Sequence, residues 1–346
     1  MSVLRKKILF IIGSLNQTSQ MHQISKYLDD RFDCYFSQIF LSHKAFEAIV
    51  KTGILNHTIF AGDIKQKADK YLEEHNLKND YQTKAYKNKY DLVVMCTDMV
   101  LPKSLRGIKT VWVQEGMIDG YNFAAKVVKA FRLPPVLAMS TALNGSSNLC
   151  DIYCVGSKGY KNYIADKGTE IEKIIVTGIP NYDNIKQHLD NNFPYKDYVL
   201  VATSDIRETF RSDDRVKFIK RTVEIANGRP LIFKLHPNES KERAISEIKN
   251  NTPANTLIYT EGNTNYMIAN CDELITQYST VVYVGIALGK KVHSYFNVDE
   301  LNKLMPIQND GTSAETIADI CGNFIYYDGS GAEFLKVHNI LMSAIK

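Results

Sequence analysis

The sequence predicts an α/β chain of two Rossmann-like domains with a cleft between them. Three observations lead there. The 346 residues are too many for one ordinary core and suit two. Short, near-continuously apolar runs alternate with helix-length segments, the pattern of parallel strands covered by helices on both faces. That alternation occurs twice, on either side of a polar stretch, KQHLDNNFPYKD, at 186–197.

In the first series, strands are expected at Ile8–Ile12, Cys34–Ile39, Leu92–Cys96, Thr110–Val113, Ile152–Val155 and Ile174–Val176. Helices are expected at Ser19–Asp30, Ile64–His75 and Lys158–Lys167. The basic start and short apolar run of MSVLRKKILFIIGS lack an A-x-A site, so they read as a first strand rather than a signal peptide. In the second series, strands fit Tyr198–Ala202, Leu231–Lys234, Thr256–Tyr259, Glu273–Ile275 and Lys291–Tyr295. Helices fit Asp214–Ala226, Ser240–Asn250, Asn265–Asn270, Val281–Leu288, Ala314–Cys321 and Ala332–Ile345. The expected domains are therefore 1–190 and 191–330, with a helix over 331–346 packing back on the first.

Charge narrows the function classes. With 42 basic and 38 acidic residues the net charge is +4, too balanced for a nucleic-acid binder yet not repellent to an anionic substrate. The six cysteines, at 34, 96, 150, 154, 271 and 321, form no C-x-x-C pair and have no histidine cluster, as expected of reduced thiols. No apolar run approaches the ~20 residues that span a bilayer. A cytoplasmic location is expected, with any contact at the inner membrane face made through a lipid-linked acceptor or a partner.

Ligands of open α/β sheets bind beyond the carboxyl ends of the strands, so the residues after each strand are the candidates. After the first strand, Gly13 permits a close backbone approach, and Ser14, Thr18 or Ser19 caps the next helix; the stretch is not G-x-G-x-x-G, so no dinucleotide cofactor is indicated. After Thr110–Val113 comes QEGMIDG. Glu115, followed by Gly116, is either a general base whose pKa burial lifts or a solvated turn acid; Asp119 is a second choice. After Ile174–Val176, Gly178 and Pro180 fix an unusual backbone path, and Asn181 or Asp183 caps the next helix. TSDIRETF then offers Asp205 and Glu208, as nucleophile or oxocarbenium stabiliser, or simply as acids at a helix N-terminus. In LIFKLHPNES, a strand ends on Lys234 and His236, both suited to a phosphate or carboxylate, and Pro237 keeps the loop from coiling. In QYSTVVYVG, Ser279 and Thr280 precede an apolar helix as caps or as an anion site.

KLHP and QYST resemble the HP and SS/ST motifs of bacterial GT-B glycosyltransferases that use CMP- or CDP-activated donors. Those include sialyltransferases, Kdo transferases and CDP-glycerol polymerases. QEG resembles the acidic-Gly motif of that group, although it departs from its E-D-G form. SDIRE resembles the retaining β-Kdo transferases of lipopolysaccharide. The resemblance implies a GT-B fold with 1–190 as acceptor domain and 191–330 as donor domain. It implies transfer of a sugar, Kdo from CMP-Kdo as first choice, to a glycan or glycolipid acceptor. Asp205 would be the covalent nucleophile and Glu115 the acceptor-side acid, beside Gly13, Ser14 and Gly116. His236, Lys234 and Pro237, with Ser279, Thr280, Gly178 and Pro180, would hold the donor. No D-x-D pair ends a strand, SDD at 212–214 reads as a helix cap, and the cations can neutralise a leaving phosphate, so no metal or other cofactor is expected.

Three alternatives stay open: CDP-glycerol or ribitol phosphotransfer, a non-catalytic sugar-nucleotide binder, and a non-hydrolysing UDP-N-acetylglucosamine 2-epimerase. The last is suggested by VTGIPNYDN, which is similar to TGN in that family. It is disfavoured by QYSTVVYVG, which lacks the family's Glu.

Overall fold

The computed structural model describes residues 5–38, 62–80, 87–97, 102–118, 123–131, 133, 141–207 and 213–345. Asp119, Glu208 and Ile39 lie outside them. The chain divides into two compact units, Met1–Asp183 with Pro306–Lys346, and Asn184–Met305.

The first unit is built on a parallel sheet of six strands: β1 (Lys6–Ile12), β2 (Phe32–Gln38), β3 (Leu92–Met95), β4 (Lys109–Val113), β5 (Ile152–Val155) and β6 (Ile174–Val176). Their order is β2-β1-β3-β4-β5-β6. The central strands are buried along their length, as their unbroken apolar runs, LVVM in β3 and IYCV in β5, require when helices cover both faces. Among the described residues this series contains the helices α1 (Leu15–Ser25), α2 (Gly62–Glu74), α3 (Phe123–Ala130) and α4 (Lys158–Lys167). Ser14 caps α1 by accepting from the Gln17 N–H, and Ser157 caps α4 in the same way.

The second unit is a parallel sheet of five strands: β7 (Val199–Ala202), β8 (Leu231–Lys234), β9 (Leu257–Tyr259), β10 (Glu273–Thr276) and β11 (Lys291–His293). Their order is β11-β10-β7-β8-β9. Its helices are α5 (Arg215–Ala226), α6 (Lys241–Asn251), α7 (Thr264–Asn270), α8 (Val282–Ala287) and α9 (Val298–Leu304). Val199, Val201, Phe218, Ile219, Phe233, Leu235 and Ile248 form its core. Both units are Rossmann-like: the strand order reverses about one strand, β1 in the first sheet and β7 in the second.

Two boundaries differ from expectation. The stretch 186–197 belongs to the second unit. Ile185 is buried, His188 pairs with Asn265 at 3.1 Å, and Asn270 donates to Asn191 at 2.7 Å. The segment from Pro306 onward returns to the first unit, where the last two helices, α10 (Ser313–Phe324) and α11 (Gly331–Ile345), lie. Ala314, Ile317, Ala318, Ile320, Cys321 and Phe324 of α10 enter the same core as Ile8, Phe10 and Val94. Gly331 lets α11 begin against β5, since a Cβ there would fall 2.0 Å from the Asp151 carbonyl oxygen. No described helix is long and apolar enough to cross a membrane.

Candidate active site

Each unit gathers polar side chains at the carboxyl ends of its central strands. In the first, β4 runs into Gln114, Glu115 and Gly116. Gln114 fixes this turn through four bonds. Its N–H donates to the Cys154 carbonyl, its amide donates to the Gly116 carbonyl, and its side-chain oxygen accepts from the Gly156 N–H. Its own carbonyl accepts from the Gln20 amide at 3.1 Å. The turn therefore aims Glu115 toward the start of α1.

There the half-buried carboxylate is held at both oxygens. The Ser14 hydroxyl donates to Oε1 at 3.3 Å and the Gln17 amide donates to Oε2 at 2.7 Å. Burial pushes the Glu115 pKa up, and the two hydrogen bonds offset that only in part. The neighbouring Cys96 thiol is buried at the end of β3 and pushed well up, so it stays neutral. A carboxyl group that is lifted and oriented in this way is equipped for proton transfer. Gly116 follows Glu115 in the chain, and Gly13 precedes Ser14.

The second unit joins the ends of β7, β8 and β10. Asp205 accepts from the Asn238 amide at 3.0 Å, and the same oxygen lies 3.6 Å from His236 Nδ1. The Asn238 N–H donates to His236 Nδ1 at 3.2 Å. An imidazole that accepts at Nδ1 carries its proton on Nε2. Pro237 is exposed between these residues.

Beneath them lies a buried ionic network. Arg215 pairs with Asp213 and with Glu239, each at 2.9 Å, and donates to the Ser204 carbonyl at 2.9 Å. Glu239 accepts from the His236 N–H at 3.0 Å and from the Thr203 hydroxyl. Gln277 donates to Asp213 at 2.8 Å and accepts from the Ser204 hydroxyl at 3.1 Å. Three loops are thus tied to one guanidinium. Ion pairs this deeply buried gain little net stability over apolar packing, so their effect here is to fix geometry.

Other expected site residues fall elsewhere. Lys234 is buried, its ammonium donates to the Leu235 carbonyl at 2.8 Å, and burial lowers its pKa. It is not turned out beside His236. Ser279 and Thr280 are half-buried ahead of α8, but the Ser279 hydroxyl reaches the Val281 N–H only at 3.5 Å. The first N–H groups of α8 already donate to the Ser279 and Thr280 carbonyls. Gly178 has φ +82°, and a Cβ there would fall 2.1 Å from the Ser313 hydroxyl, so packing against α10 alone requires the glycine. Pro180 opens a 3-10 turn at Pro180–Tyr182. Asp183 caps α10, accepting from the Ser313 N–H at 2.6 Å, rather than a helix next in sequence. Asp214 caps α5 through the Lys217 N–H, as expected. Among the described residues no cluster of His, Cys, Asp and Glu could hold a metal ion.

Gln17, Asn238, Glu239, Arg215 and Gln277 were not anticipated. Gln277 directly follows β10, so its position at a strand end is the sequence signal for it. Glu239 stands in HPNE, three residues past the histidine it holds.

No protein-family model and no curated protein matches the chain. Solved structures do match. A putative UDP-N-acetylglucosamine 2-epimerase from Listeria monocytogenes is 14% identical with a TM-score of 0.55, over 95% of this chain and 94% of that one. The UDP-GlcNAc 2-epimerase from Neisseria meningitidis bound to UDP-GlcNAc is 12% identical with a TM-score of 0.54, over 90% and 98%. S. aureus MnaA with UDP is 14% identical with a TM-score of 0.54, over 99% and 98%. At such identities the likeness establishes the fold, the GT-B arrangement of two Rossmann-like α/β units that these proteins share with glycosyltransferases.

Proposed function

We propose that the protein is an enzyme acting on a nucleotide-activated sugar, with Glu115 as its acid–base group. The observation that carries this is the Glu115 carboxylate, lifted by burial and held at both oxygens at the end of β4. His236, with Nε2–H as its donor, takes the sugar nucleotide's phosphate in the second unit. A UDP-sugar replaces the CMP-sugar expected from sequence as first choice. Matching structures over nearly the whole chain contain UDP-GlcNAc or UDP, and neither of these supports Kdo or a CMP donor. The reaction put first is epimerisation beside the anomeric carbon, which needs a base to take a proton and an acid to return one. Both roles fall to side chains, and no metal is required.

Glycosyl transfer is the second reading. One observation favours it: the turn after β10, Gln277–Thr280, carries no carboxylate, where the 2-epimerases are expected to place a Glu. Asp205 would then serve the anomeric carbon and Glu115 the acceptor hydroxyl.

Thermal-shift measurements with UDP, CDP and CMP, followed by UDP-GlcNAc in D2O, test both. Stabilisation by UDP and deuterium at sugar C2 are expected, unchanged by EDTA and abolished in Glu115→Gln. Stabilisation by CMP or CDP alone would move the assignment to transfer. No response to any nucleotide would remove the nucleotide-sugar reading.

A further inference from the structure

Glu115 has two bonding partners, and they come from one place. Ser14 and Gln17 are the N-cap and third residue of α1. The Ser14 hydroxyl accepts from the Gln17 N–H at 3.2 Å while donating to Glu115. Gln17 then reaches past it to the other carboxylate oxygen at 2.7 Å, the shorter of the two bonds. A glutamate side chain has several staggered rotamers. The amide of Gln17 selects one of them.

We propose that Gln17 is a positioning residue, a clamp that fixes the orientation of the Glu115 carboxylate and sets the pH at which it exchanges its proton. This deepens the assignment of Glu115 as the acid–base group and rests on it for its meaning in turnover. The physics is local. The bond from the Gln17 amide favours the ionised carboxylate, as does the N-terminal end of α1. Burial opposes both. Among the described residues, the titratable group that faces Glu115 is Cys96 at the end of β3, and it is neutral. Gln20, also on α1, spends its amide on Gln114 and Cys96 rather than on Glu115. Gln17 is therefore the strongest adjustable influence on this group. Nothing in the sequence marks it, because a half-buried glutamine on a first helical turn reads as surface.

The test is a 13C NMR titration of glutamate carboxyls in the resting full-length protein, with the Glu115 signal identified by its loss in Glu115→Gln. Gln17→Met keeps the length and removes the donor, and should raise the Glu115 midpoint by about one pH unit. Gln17→Lys places an ammonium at the same oxygen and should lower it. Circular dichroism checks that both variants are folded. Midpoints equal to wild type in both would overturn the proposal. No substrate enters this measurement, so it is separable from the reading it deepens. Turnover indifferent to Glu115→Gln would remove the catalytic role and leave the clamp standing. In an active enzyme, the pH profile of kcat should move with the midpoint while KM stays fixed.

Discussion

A single carboxyl group shows how burial is turned to use. Glu115 is costly to ionise because the protein withdraws water from it, and the bonds from Gln17 and Ser14 recover part of that cost. Its folded pKa lies above the unfolded value, so its contribution to stability is fully present below about pH 4.5 and is lost as pH rises through the folded value. Above the folded value the ionised group therefore weighs against folding. Glu115→Gln keeps an oxygen for Gln17 and removes the charge. It should raise the melting temperature at pH 8, with the gain vanishing at pH 4, while turnover falls by ~10²–10⁴-fold. Scanning calorimetry at the two pH values decides it: a variant less stable than wild type at pH 8 would mean that the carboxylate is not strained by burial. Glu115 and His236 stand out in the sequence because an acid or imidazole just past an apolar run is visible; the sequence alone does not mark Gln17 or Asn238, whose roles depend on which loop folds next to which.

The elements were more legible than their ends. Strands β5, β6 and β8 and helix α4 begin and end where the sequence places them, since apolar runs bounded by Gly, Ser or charged residues leave little freedom. Helix α9 was missed because VDELNKL buries only Leu301 and so shows no apolar stripe, although Asn297 caps it by accepting from the Asp299 and Glu300 N–H groups. The β10–β11 pair shows an ionic consequence of register. Parallel pairing sets Glu273 beside Lys291 and Ile275 beside His293. Glu273 then accepts from Arg229 at 2.8 Å, from His293 at 2.8 Å and from Lys291 at 3.2 Å. Burial raises its pKa, the hydrogen bonds from Arg229, His293 and Lys291 together with the Arg229 charge outweigh burial, and the result is about 2. A carboxylate depressed in this way stabilises the fold above its unfolded pKa near 4.5 and ceases to do so as pH falls toward 2. The difference corresponds to roughly 3 kcal/mol at pH 7 and about half of that at pH 3. Glu273→Gln should lower the urea midpoint of the second unit at pH 7 and lower it less at pH 3. An equal loss at both would assign the effect to packing instead.

At the scale of the whole molecule, the two units differ in how they are assembled from the chain. Two βα series with a polar stretch between them imply two sheets, and two parallel sheets are present. What the sequence could not show is that residues from Pro306 onward rejoin the first unit, because an amphipathic helix does not declare which sheet it will cover. The consequence is measurable. Six buried side chains of α10, Ala314, Ile317, Ala318, Ile320, Cys321 and Phe324, fill the core beside β1 and β3. Burial of the larger ones is worth ~1.5–3 kcal/mol each, which in sum approaches the whole stability of an ordinary domain. The N-terminal residues of the first unit should therefore not fold alone. The second unit is continuous, Asn184–Met305, and among the described residues the cluster around Val199, Phe218, Phe233 and Ile248 lies wholly within it. A fragment of residues 184–305 should melt cooperatively and show dispersed NMR amide signals. A fragment of 1–183 should lack both until 306–346 is supplied, in trans or by fusion after residue 183. Cooperative melting of 1–183 alone would show that α10 and α11 cover a core already formed, and would reduce the return of the chain to a matter of surface.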